Sequence, residues 1–235
     1  MQVRLRAESL TCRSSSHLLL WFESNGPHRH RRVTPSDSTL GFARRQLRAT
    51  LEARRRSVPH LVRAHAARQV ARHADRGLHL AAGMRIALYA ALPHELDAAP
   101  LIELARARGC QIYLPRIDRA RRARGMRFVA LGAPLLRNRL GIDEPAAGAV
   151  LGARWLDLIF LPLTAFDRQG VRLGTGGGYY DRALAFRRWR RHWHAPRLIG
   201  VGYAFQELPL LTRATHDVLM DAVVTEEGMI RCATG

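Results

Sequence analysis

Leu156-Asp157-Leu158-Ile159-Phe160-Leu161-Pro162-Leu163 reads as a buried strand closed by proline, because a short apolar run ended by a breaker suits a strand covered on both faces. Ala165-Phe166-Asp167-Arg168-Gln169-Gly170 then turns the chain back. In that loop Asp167 has the short acceptor side chain that binds nearby backbone N–H groups; a catalytic carboxylate is the alternative reading. Arg172-Leu173-Gly174-Thr175-Gly176-Gly177-Gly178-Tyr179-Tyr180-Asp181-Arg182 follows, and opens a helical pattern expected to run from Tyr180 to Trp193. Strand, glycine-rich turn and helix in this order build an α/β sheet whose ligands sit at the strand ends.

The glycine stretch looks made for phosphate. Its residues bring backbone N–H groups close to an anion and accept φ > 0, and the start of the following helix adds a favourable dipole. Asp181 offers a hard oxygen to magnesium, and Arg172 or Arg182 balances phosphate charge. Flexible turns use glycine in the same way, so the ordered companions carry the argument. Standard nucleotide motifs are absent. Counted from Gly174, the dinucleotide pattern meets Tyr179 where its last glycine belongs; counted from Gly176 it ends on Asp181, and no Gly-Lys-Ser/Thr follows.

Outward from this segment, helix formers fill Arg44 to Arg56, and a second helical pattern covers Leu61 to His73 after Pro59. Met84 to Tyr89 suggests a strand, Ala98 to Arg108 a helix ended by Gly109, and Gln111 to Leu114 a strand ended by Pro115. Leu198 to Tyr203 and Ala222 to Val224 are further buried strands. The alternation implies a three-layer α/β/α domain with a mostly parallel sheet, Rossmann-like without the dinucleotide fingerprint. One domain, residues 41–235, is favoured over two.

Residues 1–40 differ in character. Ser14-Ser15-Ser16, Gly26-Pro27 and His28-Arg29-His30-Arg31-Arg32 interrupt an apolar run, Leu18 to Phe22, far below spanning length, and no convincing cleavage segment follows it. They read as a disordered extension or a misassigned start.

The formal charge of +19 suggests nucleic acid, yet all 38 basic residues are arginine, as biased codon composition produces. Arginines are scattered, with denser stretches at Arg119 to Arg127 and Arg187 to Arg191, and form no base-reading motif. Trp189 and Trp193 have the spacing of a helix packing stripe or of two base-stacking platforms. No specific nucleic-acid partner and no membrane are expected. Cys12, Cys110 and Cys232 make neither a metal motif nor a disulfide framework, which fits a reducing cytoplasm. The pairs His28/His30 and His192/His194 lack a third partner for zinc.

Taken together with residues elsewhere, the loop resembles the 5-formyltetrahydrofolate cyclo-ligase family, also called 5,10-methenyltetrahydrofolate synthetases. The resemblance rests on Pro162, Ala165-Phe166-Asp167, Gly170 and Arg172 to Arg182. In the family's order it also takes in Arg44 and Arg48, Tyr89 with Glu95-Leu96-Asp97, Tyr113-Leu114-Pro115, and Met126 with Phe128. Gly141-Ile142, Glu144-Pro145, His216-Asp217 and Thr225-Glu226 complete it, so it spans residues 41 to 228.

What the resemblance implies is ATP-dependent, magnesium-dependent cyclisation of 5-formyltetrahydrofolate to 5,10-methenyltetrahydrofolate, with release of ADP and phosphate and with no protein nucleophile. It makes Arg44 and Arg48 an ATP-contacting pair, and Glu95 the acid that holds the reduced folate. From the residues alone, Arg44 and Arg48 are equally a solvated helix face, and Glu95 a helix cap or surface carboxylate. Arg172 and the segment Gly174, Thr175, Gly176, Gly177, Gly178 would surround phosphates. Tyr179 and Tyr180 would lie against nucleotide and formyl-bearing substrate, making Arg172, Tyr179 and Tyr180 the catalytic set. Asp181 is the first magnesium ligand and Asp217 the second; His216 has a structural role or one beside the metal shell. Departures from the family pattern are Ala98 for threonine, Leu163 for glycine and Gly177 where some loops carry lysine. A monomer in the cytoplasm is the expectation. Two other classes stay open: an ATP-dependent enzyme with a different small substrate, and a binder without catalysis.

Overall fold

The structure, a computed structural model, describes residues 37–117, 125–138, 141–189 and 195–233. Outside these lie the expected extension up to residue 36 with Leu18 to Phe22 and His28/His30, as well as Cys12, Trp193, His192/His194 and parts of both arginine-rich stretches.

The chain begins with helices α1 (Asp37–Ser57) and α2 (His60–Gly77). Then come β1 (Arg85–Ala87), α3 (Ala99–Ala107), β2 (Gln111–Ile117), β3 (Met126–Ala130), β4 (Leu135–Arg137), β5 (Asp143–Pro145) and β6 (Val150–Leu151). After them run β7 (Leu158–Pro162), β8 (Ala165–Phe166), β9 (Arg172–Leu173), α4 (Tyr179–Ala183), β10 (Arg197–Val201), β11 (Ala222–Val224) and β12 (Met229–Arg231). One eight-stranded sheet has the order β12-β11-β10-β7-β1-β2-β3-β6, while β4–β5 and β8–β9 form separate pairs. Strands β11, β10, β7, β1 and β2 run parallel. At the edges β12, β3 and β6 pair antiparallel, so the sheet is mixed and mostly parallel.

Side-chain alternation along β7 explains its unbroken apolar run. Leu158 and Phe160 face a core shared with Val70 and Ala74 of α2 and Leu101 and Ala105 of α3. Ile159 and Leu161 face the opposite core, closed by Leu184, Val218 and Met220. A strand with helices or loops on both faces has no side left for polar residues. Each such Leu, Ile or Phe contributes about 1.5–3 kcal/mol by leaving water. Helix α1 stands apart from both cores and packs Leu47 and Leu51 on the β8–β9 hairpin through Ala165, Val171 and Leu173.

Three sequence expectations change. Helix α1 starts at Asp37, inside the stretch read as an extension. Strand β2 continues through Pro115 to Ile117, because β1 pairs only with Gln111 to Tyr113 and leaves that flank of Pro115 without a ladder to break. The helix expected from Tyr180 to Trp193 is a single turn, α4, followed by a 3-10 turn over Ala185–Trp189. There, buried Leu184 pins the chain to the sheet, Arg187 bonds Asp221 at 2.8 Å, and Arg188 donates to the His216 carbonyl at 2.6 Å. Among the described residues no helix is long and apolar enough to cross a membrane.

Candidate active site

The loop after β7 is built by one carboxylate. Asp167 is fully buried; its Oδ1 accepts from Gln169 N and Val171 N at 3.0 and 2.9 Å, and its Oδ2 from Leu211 N at 2.8 Å. It therefore organises the turn and lies outside the cavity. Leu163, the departure from glycine, is buried where Gly200 and Gly202 give it room: a Cβ on either would come within 2.8 Å of its methyl groups.

Strand β9 then delivers Arg172, only 4% exposed, whose Nη2 donates to Asp181 Oδ1 at 2.6 Å. Its guanidinium carbon lies 5.7 Å from the Tyr180 ring centroid, and its buried Nε has no hydrogen-bond partner. An orphaned donor on a buried cation is costly unless the site receives an anion. The glycine turn follows with Gly176 at φ 104° and Gly178 at φ 63°, the left-handed region open to glycine. Arg182 Nη2 donates to Gly177 O at 2.8 Å and its guanidinium sits 5.1 Å from the Tyr179 ring. The one-turn α4 carries little dipole, so the expected help from a helix start is small and the positive field comes from guanidinium groups.

Helix α1 supplies the facing wall. Arg44 and Arg48, four residues apart, point the same way. Arg48 Nε donates to Gly174 O at 2.7 Å and clasps the glycine turn; burial and the neighbouring Arg44 charge lower its pKa. Arg44 ion-pairs with Asp217 and donates to Thr212 O at 2.9 Å. Burial alone raises the Asp217 pKa, but the hydrogen bonds from Arg44 and Ala214 N and the charges of Arg44 and His216 hold it below the ordinary carboxylate value. His216 itself is exposed, 3.8 Å from Asp217.

Glu95 is buried on the loop before α3. Its Oε2 accepts from Leu92 N at 2.9 Å, and its Oε1 is 3.9 Å from Arg55 Nη1. Burial raises its pKa, opposed by the Leu92 N–H and the Arg55 charge and reinforced by Glu52. It is no helix cap: Asp97 takes that part by accepting from Ala99 N at 2.9 Å, beside Ala98, whose missing hydroxyl leaves the N-cap position without a side-chain bond. Tyr89 donates to Leu96 O at 2.8 Å, and burial first, then the Glu95 charge, raises its pKa. Burial likewise raises the Tyr180 pKa.

These residues share one cavity of about 510 Å³, within the usual range for small-molecule sites. Of the candidates named from the sequence, Arg44, Arg48, Glu95, Arg172, Gly174 to Gly178, Tyr179, Tyr180, Asp181 and Asp217 line it, while Arg182 and Asp167 do not. Both tyrosines face it, although an adjacent pair often splits between core and pocket. Sequence reasoning assigned no role to Glu144, also in the lining, which accepts from Ile117 N at 2.8 Å and Asn138 Nδ2 at 2.7 Å and ties β2 to β5. It also passed over Arg55, hidden between exposed Arg54 and Arg56.

The donor set accommodates magnesium in the manner that ion prefers, with one or two carboxylates completed by water and phosphate oxygens. The described bonds of Asp181, a residue of the cavity lining, fall on Oδ1. Asp217 reaches a cation only by releasing Arg44. Among the described residues no three His, Cys, Asp or Glu side chains cluster as a metal-only cage.

The sequence model of the 5-formyltetrahydrofolate cyclo-ligase family matches residues 41–226. The 5-formyltetrahydrofolate cyclo-ligase of Haemophilus influenzae is 32% identical over 167 residues, 69% of this chain and 86% of the relative. That of Escherichia coli strain K12 is 36% identical over 146 residues, 60% of this chain and 76% of the relative. The NMR structure of Aquifex aeolicus 5,10-methenyltetrahydrofolate synthetase superposes with a TM-score of 0.68 at 27% identity, over 82% of this chain and 94% of that one. With the family model spanning the α/β domain and every residue of the cavity wall named above lying inside its limits, the chain belongs to the 5-formyltetrahydrofolate cyclo-ligase family and is an enzyme of that family.

Proposed function

We propose that the chain converts 5-formyltetrahydrofolate and ATP into 5,10-methenyltetrahydrofolate, ADP and phosphate in this cavity. The observation that carries the reading is that one cavity gathers the buried acid Glu95 with Arg44, Arg48, Arg172 and the glycine turn. The acid suits the N–H donors of a reduced folate, and the guanidinium groups and glycine turn suit a triphosphate.

The chemistry needs a better leaving group than a formamide oxygen. The formyl oxygen attacks the γ-phosphorus, and the bond to the bridging oxygen breaks to release ADP. N10 then attacks the formyl carbon and loses its proton, while phosphate departs with the electrons of the old C–O bond. No protein nucleophile enters, so the chain's work is alignment and charge compensation. Arg172 brings its buried, incompletely paired guanidinium to the cavity that would receive the transferring phosphoryl group, Arg48 holds the glycine turn in shape, and Tyr179 and Tyr180 wall the junction between the two substrates. Glu95 orients the folate ring. Magnesium, when bound through Asp181 with Asp217 as second carboxylate, supplies charge neutralisation on the phosphates.

The reading takes residues 41–235 as one catalytic domain, working as a monomer in the cytoplasm with neither nucleic acid nor membrane as partner. The test is to mix purified protein with 5-formyltetrahydrofolate, ATP and magnesium and follow methenyl-folate absorbance, beside a control without ATP and an Asp181→Ala variant. ATP-dependent product that the variant loses is the expected result. No product from folded, ATP-binding wild type overturns it in favour of another small substrate.

A further inference from the structure

One face of α1 reaches three parts of the site: Asp217, the glycine turn and Glu95. Arg44, Arg48, Leu51 and Arg55 stand at i, i+4, i+7 and i+11, which brings them onto one stripe of an α-helix. Arg44 holds Asp217, Arg48 holds the glycine turn, and Leu51 seats the helix on the β8–β9 hairpin. The last member of the stripe reaches Glu95.

Arg55 is only 5% exposed, though its sequence neighbours Arg54 and Arg56 are exposed. Its Nη1 stands 3.9 Å from Glu95 Oε1, and its buried Nε has no partner. That separation is too long for a hydrogen bond and short enough for strong charge attraction where water is scarce. The Leu92 N–H occupies Oε2 instead. Glu95 thus has a counter-charge beside Oε1 that does not use up the lone pairs of that oxygen.

We propose that Arg55 is a positioning residue for folate binding: it keeps Glu95 ionised and in place from behind while leaving Oε1 free to accept an N–H of the folate ring. The inference rests on the proposed role of Glu95 as the folate-holding acid. A direct Arg–carboxylate hydrogen bond would hold Glu95 more firmly and spend the acceptor that the substrate needs. Of the other groups facing Glu95, the Leu92 N–H favours the ionised form through its bond to Oε2, Glu52 from α1 raises its pKa, and Tyr89 and Tyr180 from the sheet side are uncharged phenols. Arg55 is the cation that offsets Glu52.

The experiment measures folate and ATP KM values and the pH profile of kcat/KM for folate in wild type, Arg55→Met, Arg55→Lys, Glu95→Gln and the double variant Arg55→Met/Glu95→Gln. Without its counter-charge Glu95 ionises at higher pH, so the acid limb of Arg55→Met moves up by about 1–2 pH units. On that limb kcat/KM for folate falls about tenfold for each unit of the shift. The ATP KM stays at the wild-type value, Arg55→Lys restores most of the limb, and Arg55→Met adds no further loss on the Glu95→Gln background. An Arg55→Met protein that fails to fold while the double variant folds also supports the pairing, since removing both buried charges is tolerated where removing one is not. Failure of both to fold assigns Arg55 to packing and overturns the inference. So does an unmoved acid limb in a folded Arg55→Met, provided Glu95→Gln raises the folate KM, and the folate reading then survives. A Glu95→Gln enzyme with wild-type folate KM removes the reading itself, and the inference with it.

Discussion

Replacing Arg172 with lysine keeps its charge and removes its geometry. In the wild-type site one donor, Nη2, is committed to Asp181 at 2.6 Å, while Nε is buried and unpartnered in a residue that lines the cavity. A guanidinium serves both directions at once because its donors are fixed in a plane; an ammonium is a compact point charge at the end of a flexible stem. Lysine at this position pairs with Asp181 or faces the phosphoryl group, and the other contact is lost. A hydrogen bond to a charged group is worth about 1.5–3 kcal/mol. The loss corresponds to a decrease of about 10- to 100-fold in kcat/KM, at the usual 1.36 kcal/mol per factor of ten. If the contact strengthens as the phosphoryl group transfers, the decrease falls on kcat and leaves the ATP KM alone. Initial rates of methenyl-folate formation over a range of ATP concentrations provide the assay, with circular dichroism to establish that the variant is folded. A folded Arg172→Lys enzyme with wild-type kcat and KM refutes the reasoning, because it shows that the orphaned Nε has no partner in the reacting complex either.

Arg48→Ala removes the 2.7 Å bond to Gly174 O and loosens the glycine turn, so ATP affinity by calorimetry should fall by about tenfold, for a bond of about 1–1.5 kcal/mol, with the folate KM unchanged. Gly170→Ala places a Cβ 2.6 Å from Met220 O at φ 82°, and the combined backbone strain and overpacking of about 3 kcal/mol should lower Tm by about 6–12 °C in thermal unfolding. Burial raises the Asp157 pKa, but side-chain and backbone hydrogen bonds from Arg85 and its charge outweigh this and lower it, so the stability it adds is present above the unfolded value near pH 4 and disappears as pH falls through the folded one. Urea unfolding of Asp157→Asn should therefore match wild type more closely at low pH than at neutral pH.

The inner strands of the sheet were legible because each is a short apolar run with both faces covered: Ala222 to Val224 was readable to the residue, and β7 and β10 nearly so. The cavity wall was legible for a different reason. The run from Arg172 to Asp181 stood out by its residue types and order, whereas Arg44 and Arg48 were marked out by the family resemblance, the residues alone leaving a solvated helix face equally open. What stayed hidden is what tertiary contacts decide. Nothing in Arg54-Arg55-Arg56 marks the middle residue as buried, since the stripe that turns it inward depends on where Leu51 seats the helix. Trp189 carries the periodicity of a longer helix, but the anchors at Asp221 and the His216 carbonyl tighten that segment. The Leu163 departure looked like a loss until Gly200 and Gly202, on the neighbouring strand and just beyond it, supplied its space.

Helix α1 contributes no residue to the buried core on either face of the main sheet, yet its inner stripe meets Asp217, the glycine turn and Glu95. One wall of the site is therefore carried by a stretch that the two sheet cores do not use. A clip that strips α1 away would leave both faces of the sheet packed and a cavity open on one side, its phosphate turn unclasped and its folate acid without a counter-charge. Such a fragment would still give the spectroscopic signature of a folded α/β protein while being enzymatically silent, and abundance alone would not tell it from the intact enzyme.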